Sequence, residues 1–229
     1  MDRGSPIMAN RTKALVSKIY NFGIARGLVD HDPSHGIPQP AKARQRDRVL
    51  SEEEIRRLWR VLDDQGTAMA ASFKVRLLTA QRGVEVLTMR WADLDGDWWT
   101  IPGDVAKNGF SHRVPLSEPA QAVLAELRDA ADGSNWVFPS PKVAGKPMAN
   151  VQKAADRLVE LAGVEFVPHD LRRTAASHMT SMGIPRLVVS KILNHVEQGV
   201  TAVYDRHSYD EEKREALARW GDRLLQIIG

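Results

Sequence analysis

The sequence predicts an α+β domain that is mostly helical, with one small antiparallel sheet. Three observations predict it. Several segments place a capping residue just ahead of an apolar stripe, the signature of a helix start. Two short alternating stretches, DWWTIP (97–102) and HRVPL (112–116), read as strands, and their connection GDVAKNGFS holds Asn108–Gly109, a tight-turn signal. No internal repeat and no low-complexity tract is visible.

The 229 residues suffice for one large domain, or one domain plus a fragment. A hydrophobic fraction of 43% is ordinary for a chain that buries a core. No apolar run approaches the roughly 20 residues of a membrane span, so no membrane partner is expected. The opening MDRGSPIMAN has no apolar signal core, reads in part as vector-like, and carries no weight in the fold. Cysteine is absent, which removes disulfides, zinc–cysteine sites and thiol catalysis and fits a reduced cytoplasm. A formal charge of +3 permits a polyanionic partner without demanding one. The distribution says more. KARQRDR (42–48) is a basic linker supplying Lys42, Arg44, Arg46 and Arg48, and Arg172 adjoins Arg173. Acidic residues gather at helix starts and in 210–215, which suggests a basic face and a neutral back.

In chain order, RTKALVSKIYNFGIARGLVDHDP reads as a helix ending near Gly27, with Pro33 beyond. SHGIPQPAKARQRDR follows as an interdomain linker. A single helix does not fold alone, so residues 1–46 read as the last helix of another domain plus a linker, and 47–229 as the main domain. That domain opens at LSEEEI. Ser51 is the N-cap, Glu54 at N3 completes a capping box, and Leu50 with Ile55 forms a hydrophobic staple. A helix is expected over 67–80, and GVEVLTMRWADL continues as a helix over 83–90. After the hairpin, helices are expected over 118–131, 149–162, 170–182, 185–193, 199–206 and 209–226.

Several residues have types suited to phosphate chemistry. In PHDLRRTAASHM, His169 and Arg172 share a helical face, and a guanidinium fork beside an imidazole suits a phosphate better than a core. Arg82 stands just before an amphipathic helix striped by Val84, Leu87 and Trp91, where helix amides also favour an anion. Glu85, three residues on, is placed to orient Arg82; a surface ion pair is the bland alternative. Lys107 lies beside the hairpin turn, where the choice is an inert surface lysine or an ammonium that a flexible loop delivers to a leaving oxygen. In KILNHVEQGVTAVYDRHSY, Asn194 suits a left-handed helix stop, which leaves His195 in a loop and Tyr204 on the next helix. Tyr209 has a local explanation, since Ser208 and Glu211 read as a second capping box that puts it at the first helical position. Singly, each of these signals is weak.

Together they are specific. Arg82, Lys107, His169, Arg172, His195 and Tyr204 stand in the order, spacing and context of the tyrosine recombinase, or phage integrase, family, which residues 47 to about 225 resemble. The carrying segments are LTAQRGVEVLTMRWADLD, HDLRRTAASHM and LNHVEQGVTAVYDRHSYDEEKREALARW; the ending with Trp220 and Leu224 is similar to integrases of prophages and genomic islands. Gln81 and Asn194 depart from the leucine-like residue and glycine often seen there, and His195 is a tryptophan in some members. The resemblance implies the family's catalytic fold, with residues 1–46 as a remnant of the core-binding domain. It implies strand cleavage through a 3′-phosphotyrosine on Tyr204. Arg82, Arg172 and His195 would hold the phosphorane oxygens, His169 would assist Tyr204, Lys107 would protonate the 5′ oxygen and Glu85 would orient the first arginine. It further implies double-stranded attachment-site DNA as partner, held by Lys42, Arg44, Arg46, Arg48 and Arg173. A homo-tetramer on DNA joined through the C-terminal helix, a bacterial cytoplasmic setting, and no metal or other cofactor complete the expectation. Two readings stay beside it: a type IB topoisomerase-like enzyme, and a catalytically inactive DNA-binding accessory protein.

Overall fold

The computed structural model describes residues 5–39, 46–131, 133–196 and 207–229, which divide into two compact units, 1–47 and 48–229. In the first unit, α1 (Pro6–Ile24) begins at a proline, which needs no N–H there. Asp32 gathers the turn that follows, accepting from Ser17 Oγ at 2.7 Å and from the Ser34 amide at 2.8 Å. Ile7, Met8, Leu15, Ile19 and Phe22 remain exposed along α1.

The second unit opens as expected. α2 (Glu52–Gln65) is started by a complete capping box: Ser51 Oγ accepts from the Glu54 amide at 3.3 Å, and Glu54 Oε2 accepts from the Ser51 amide at 2.9 Å. Leu50 and Ile55 are both fully buried. Leu58, Trp59 and Leu62 continue the buried face of α2. α3 (Ala68–Thr79) is apolar nearly all round, with only Lys74 and Arg76 charged, and it is the central helix, packed against α2, α5 (Glu118–Asp129) and α7 (Pro168–Ser181). α6 (Gln152–Ala162) covers α2. α8 (Arg186–Ile192) packs on α7, and the last helix, α9 (Asp210–Ile228), packs on α2, α3, α5, α7 and α8.

Three departures have identifiable causes. α4 spans Gly83–Leu87 rather than 83–90, because residues 89–91 pair with 135–137: Val137 N donates to Met89 O at 3.0 Å and Trp91 N to Asn135 O at 3.1 Å. That pairing turns the chain early, into a short strand that the sequence did not signal. The sheet is therefore three-stranded and antiparallel, β1 (Leu94–Asp95), β2 (Trp98–Ile101) and β3 (His112–Pro115), in that order, with Trp99 opposite both Leu94 and Val114. α7 starts at Pro168, not 170, because the Asp170 carboxylate caps it, accepting from the Val167 amide at 2.9 Å. The expected helix over 199–206 lies outside the described residues.

The cap foreseen at Ser208 and Glu211 is not formed. Tyr209 is the residue before α9, in the left-handed region at φ 55°, and Ser208 Oγ accepts from the Asp210 amide at 3.4 Å. The Tyr209 ring sits 4.6 Å from that of His207, and the Lys191 ammonium lies 4.7 Å over it. These ring contacts hold the entry to α9 where the expected hydroxyl–carboxylate exchange does not.

α9 is anchored by Trp220, which is fully buried, donates Nε1–H to Leu77 O on α3 at 2.8 Å and stacks on His178 at 5.5 Å. Trp220→Ala is expected to cost about 3–5 kcal/mol, the usual range for emptying a buried aromatic site, read as a lowered midpoint in urea unfolding. A loss under about 1 kcal/mol would mean that α9 is not docked through this residue.

Candidate active site

Arg82 is the residue just before α4, with extended backbone that turns its side chain off the helix start. Glu85 holds it twice: Oε2 accepts from the Arg82 amide at 2.9 Å and Oε1 from Nη1 at 3.0 Å. Glu85 is 2% exposed, so this is no surface ion pair. Its carboxylate is turned wholly toward Arg82, leaving that guanidinium's other end, 3.5 Å from Asn194 O, near the cleft.

Arg172 comes from α7 and is 5% exposed. It donates to Ala80 O at 2.7 Å and to Leu193 O at 2.5 Å, and its Nη2 lies 3.4 Å from His195 Nε2. Burial, then the neighbouring charge of Arg82, lowers its pKa to about 10, which leaves it cationic at neutral pH. The Ala80 carbonyl reaches Arg172 because Ala80 ends α3 in the left-handed region at φ 57°, a conformation that costs a non-glycine residue on the order of 1 kcal/mol.

His169 stands one turn before Arg172 on α7, at the mouth of the cleft. Partial loss of water lowers its pKa first, and the charges of Arg173 and Arg172 lower it further against the opposing pull of Asp170. His195 is lowered by the same means, with Arg172 and Arg82 as its charged neighbours. Both imidazoles are therefore neutral at pH 7. His195 Nε2 faces a guanidinium that can only donate, so its proton belongs on Nδ1.

Arg82, Lys107, His169 and Arg172, together with Arg76 and Gln81, line one cleft of about 480 Å³. These residues come from the start of α4, the β2–β3 loop, α7 and the end of α3. Lys107 is exposed. His195 joins through Arg172. Tyr204 lies outside the described residues, as do Lys42 and Arg44. A larger groove, about 650 Å³, is lined by α3, α5 and residues 133–145, but Lys74 and Glu126 are its only charged lining residues among those described, so it holds no excess of positive charge. No group of three or more His, Asp or Glu side chains is arranged to hold a metal ion among the described residues.

Of the other expected DNA contacts, Arg46 is exposed at the end of the linker. Arg173 donates to the buried Asp170 carboxylate at 2.9 Å. Arg48 likewise meets protein acceptors: it donates to Glu165 O at 3.0 Å, to Val49 O at 3.1 Å and to Glu54 at 2.5 Å, which fastens the capping box of α2.

Three residues of the site escaped the sequence reading. Arg76, 3% exposed, lies flat beneath Gly83: Nη2 donates to Gly83 O at 3.3 Å, and a Cβ on Gly83 would sit 3.0 Å from three guanidinium atoms. Its Nε has no hydrogen-bond partner, and burial lowers its pKa to about 10. A charge inside the apolar run FKVRLLT was the available signal. Gln81 donates to Ile192 O at 2.9 Å and His112 Nε2 to the same oxygen at 3.0 Å, with burial pushing His112 down to about 4 and keeping it neutral. Neither could be found from spacing, since their partner lies on α8, 111 and 80 residues away.

A mostly helical α+β domain that converges two buried arginines, a half-buried third, a lysine and a neutral imidazole on one cleft is built to hold a multiply charged oxyanion. The chain belongs to the phage integrase family, whose model matches residues 48–211. Among curated relatives, it is 28% identical to prophage integrase IntA of Escherichia coli K12 over 96% of this chain and 55% of that one. It is 27% identical to tyrosine recombinase XerD of Caulobacter vibrioides over 87% of this chain and 70% of that one. Among solved structures, it matches λ integrase (residues 75–356, a dimer bound to a COC′ core site) with a TM-score of 0.70 at 18% identity, covering 86% of this chain and 74% of that one. The Tn1549 transposon integrase (residues 82–397, with circular intermediate DNA) gives 0.67 at 16% identity, covering 93% and 80%. These likenesses show a shared fold. The chain spans a little over half the length of the prophage integrases IntA and IntZ of Escherichia coli K12.

Glu85→Ala is expected to destabilise the domain by about 3 kcal/mol, within the range for breaking a buried ion pair, because it strands the Arg82 amide and guanidinium together. Glu85→Gln, which keeps an acceptor, is expected to lose less than half as much in urea unfolding; equal losses would show that charge, not the hydrogen bond to the amide, holds Arg82.

Proposed function

We propose that this domain cleaves and rejoins DNA strands as a site-specific recombinase, through a 3′-phosphotyrosine on Tyr204. The observation that carries the reading is the convergence of Arg82, Lys107, His169 and Arg172 on a single cleft from three separate segments, the start of α4, the β2–β3 loop and α7. Membership of the phage integrase family supports it, and so do the DNA-bound integrases that share the fold.

In the reaction, the Tyr204 phenol oxygen attacks phosphorus and the bond from phosphorus to the 5′ oxygen breaks. The phenol proton passes to His169, which is neutral and so able to take it. The 5′ oxygen takes a proton from Lys107. Charge accumulates on the non-bridging oxygens, where Arg82 and Arg172 meet it with fixed donors; one such donor is typically worth on the order of 10²–10³ in rate. His195 adds a hydrogen bond beside Arg172. Because the ester retains the energy of the cleaved bond, a second 5′-hydroxyl can reverse the step on a new strand.

The partner is double-stranded DNA at attachment sites, bound mostly through phosphates and so weakened by salt. Lys42, Arg44, Arg46, Arg48 and Arg173 are the proposed contacts; Arg48 and Arg173 also donate to protein acceptors. The exposed apolar face of α1 supports reading residues 1–46 as part of a core-binding domain. The working assembly is a tetramer on DNA. α9 buries Leu217, Trp220, Leu224 and Ile227 in its own domain, so what it offers a neighbouring protomer is its outer face with Leu225.

Tyr204→Phe should abolish the covalent adduct with nicked attachment-site DNA in EDTA-containing buffer, with DNA affinity nearly unchanged. Tyr209→Phe should still form it, and peptide mapping should place the DNA on Tyr204. An adduct on Tyr209, or one that needs added magnesium, would sink the mechanism.

The cleavage rate should fall on the acid side as His169 gains its proton. Since its pKa is lowered, that limb should lie below the ordinary histidine value of about 6.5. His169→Gln should flatten the limb; an unchanged acid limb in this variant would assign it to another group.

A further inference from the structure

The ten-residue connection between β2 and β3 is folded on itself. Pro102 O accepts from the Val105 and Ala106 amides at 3.1 and 2.9 Å, and Ala106 O from Gly109 at 2.9 Å. Gly103 lies so close to the Gly109 backbone that a Cβ there would be 2.7 Å from Gly109 O. Asn108 Oδ1 accepts from the Phe110 amide at 3.1 Å, closing the turn. None of these bonds reaches the arginines. One side chain of the loop reaches the residue beside them: Asn108 Nδ2 donates to Asn194 Oδ1 at 2.8 Å and lies 3.4 Å from Asn194 O, while Asn194 Nδ2 returns a bond to Asn108 Oδ1 at 3.4 Å. Among the described residues, no other side chain of residues 102–111 is hydrogen-bonded to residues 192–195.

The two ends of this amide pair occupy informative positions. Asn108 is the immediate neighbour of Lys107 in the loop. Asn194 precedes His195, stands at φ 49°, and offers its carbonyl to Arg82 at 3.5 Å. A residue in the left-handed region at a helix end is normally glycine. Glycine would keep the turn, but it has no side chain to hold the loop.

We propose that Asn108 and Asn194 form a latch that fixes the β2–β3 loop against the arginine centre, which makes both positioning residues for proton delivery by Lys107. The latch rests on the reading of Lys107 as general acid given above. It acts by limiting where the Lys107 stem begins. A lysine side chain has four rotatable bonds, and its ammonium finds one oxygen efficiently only if its backbone is held. Since Asn194 also meets Arg82, the latch sets the lysine relative to the group that holds the phosphate.

The test compares cleavage of attachment-site DNA bearing an ordinary scissile phosphate with the same DNA bearing a 5′-bridging phosphorothiolate, whose sulfur departs without a proton. The proteins are wild type, Lys107→Ala, Asn108→Ala and Asn194→Gly. Both asparagine variants should slow the ordinary substrate on the order of 10-fold, a part of the about 10²–10⁴ that a general acid supplies. The sulfur substrate should stay within about 2-fold of wild type, and neither variant should slow Lys107→Ala further. Equal slowing on both substrates, or losses that multiply with Lys107→Ala, would overturn the latch. If Lys107→Ala itself shows no sulfur rescue, the general-acid reading fails and the latch fails with it. If Lys107→Ala is rescued and the asparagine variants are not, the latch alone fails. A second measurement needs no DNA: amide hydrogen exchange in residues 103–111 should quicken several-fold in Asn194→Gly, and unchanged exchange there would refute the latch whatever the kinetics.

Discussion

The burial of Arg172 is the constraint on which the rest of this domain depends. A guanidinium taken out of water must be met by acceptors, or the domain loses several kcal/mol. Here the acceptors are backbone carbonyls, from Ala80 at the end of α3 and Leu193 at the end of α8. Both helices therefore have to stop where they do. Ala80 accepts a left-handed conformation that alanine disfavours, and Asn194 accepts the same immediately after Leu193. The neighbouring carbonyls are held by the same centre. Ile192 O meets Gln81 and His112, and Asn194 O meets Arg82 and Asn108. Three successive carbonyls of one helix end thus tie α3, α4, α7 and the hairpin into one unit.

That arrangement leaves positive charge in excess. Arg76, Arg82 and Arg172 line one cleft with Lys107, and Glu85, fully turned to Arg82, is the single carboxylate among the lining residues. Carbonyls satisfy the donors of Arg172 without neutralising it. Burial pulls Arg76 and Arg172 down to about 10, which still leaves them charged at neutral pH. Partial loss of water first, and then the same positive field, lower the pKa values of His169 and His195 and keep both neutral. One physical arrangement therefore produces both halves of the proposed chemistry: fixed cations for a developing oxyanion, and an uncharged base to receive a proton.

Much of this was legible in the chain. The α2 capping box needs only Ser51 and Glu54, three residues apart, and the hairpin strands announce themselves by alternation around Asn108–Gly109. Arg82 with Glu85 and His169 with Arg172 lie within one helical turn of each other, so their pairing follows from local geometry. The failures share one cause. α4 ends early because residues 89–91 find partners at 135–137; a local pattern cannot register a competitor as far along the chain as Trp136 is from Arg90. Tyr209 is held through its ring, by the Lys191 ammonium and the His207 imidazole, rather than by the cap its neighbours spell out. Long-range partners elsewhere were equally invisible: the guanidinium of Arg48 finds Glu165 O across 117 residues.

The sequence by itself determined the helical class, the sheet, most helix starts, and which side chains are proposed to handle phosphate, because those depend on residue chemistry and on spacings of two to four positions. Only the tertiary structure decided which of those side chains face one another and which are buried. It recruited Arg76, Gln81 and His112 to the site and turned Glu85 from a surface partner into a buried strut. The reason is that these roles are set by backbone carbonyls at helix ends. Every residue carries a carbonyl, so none is marked in the sequence, and only the packing of α3, α7 and α8 determines which of them a buried guanidinium will meet.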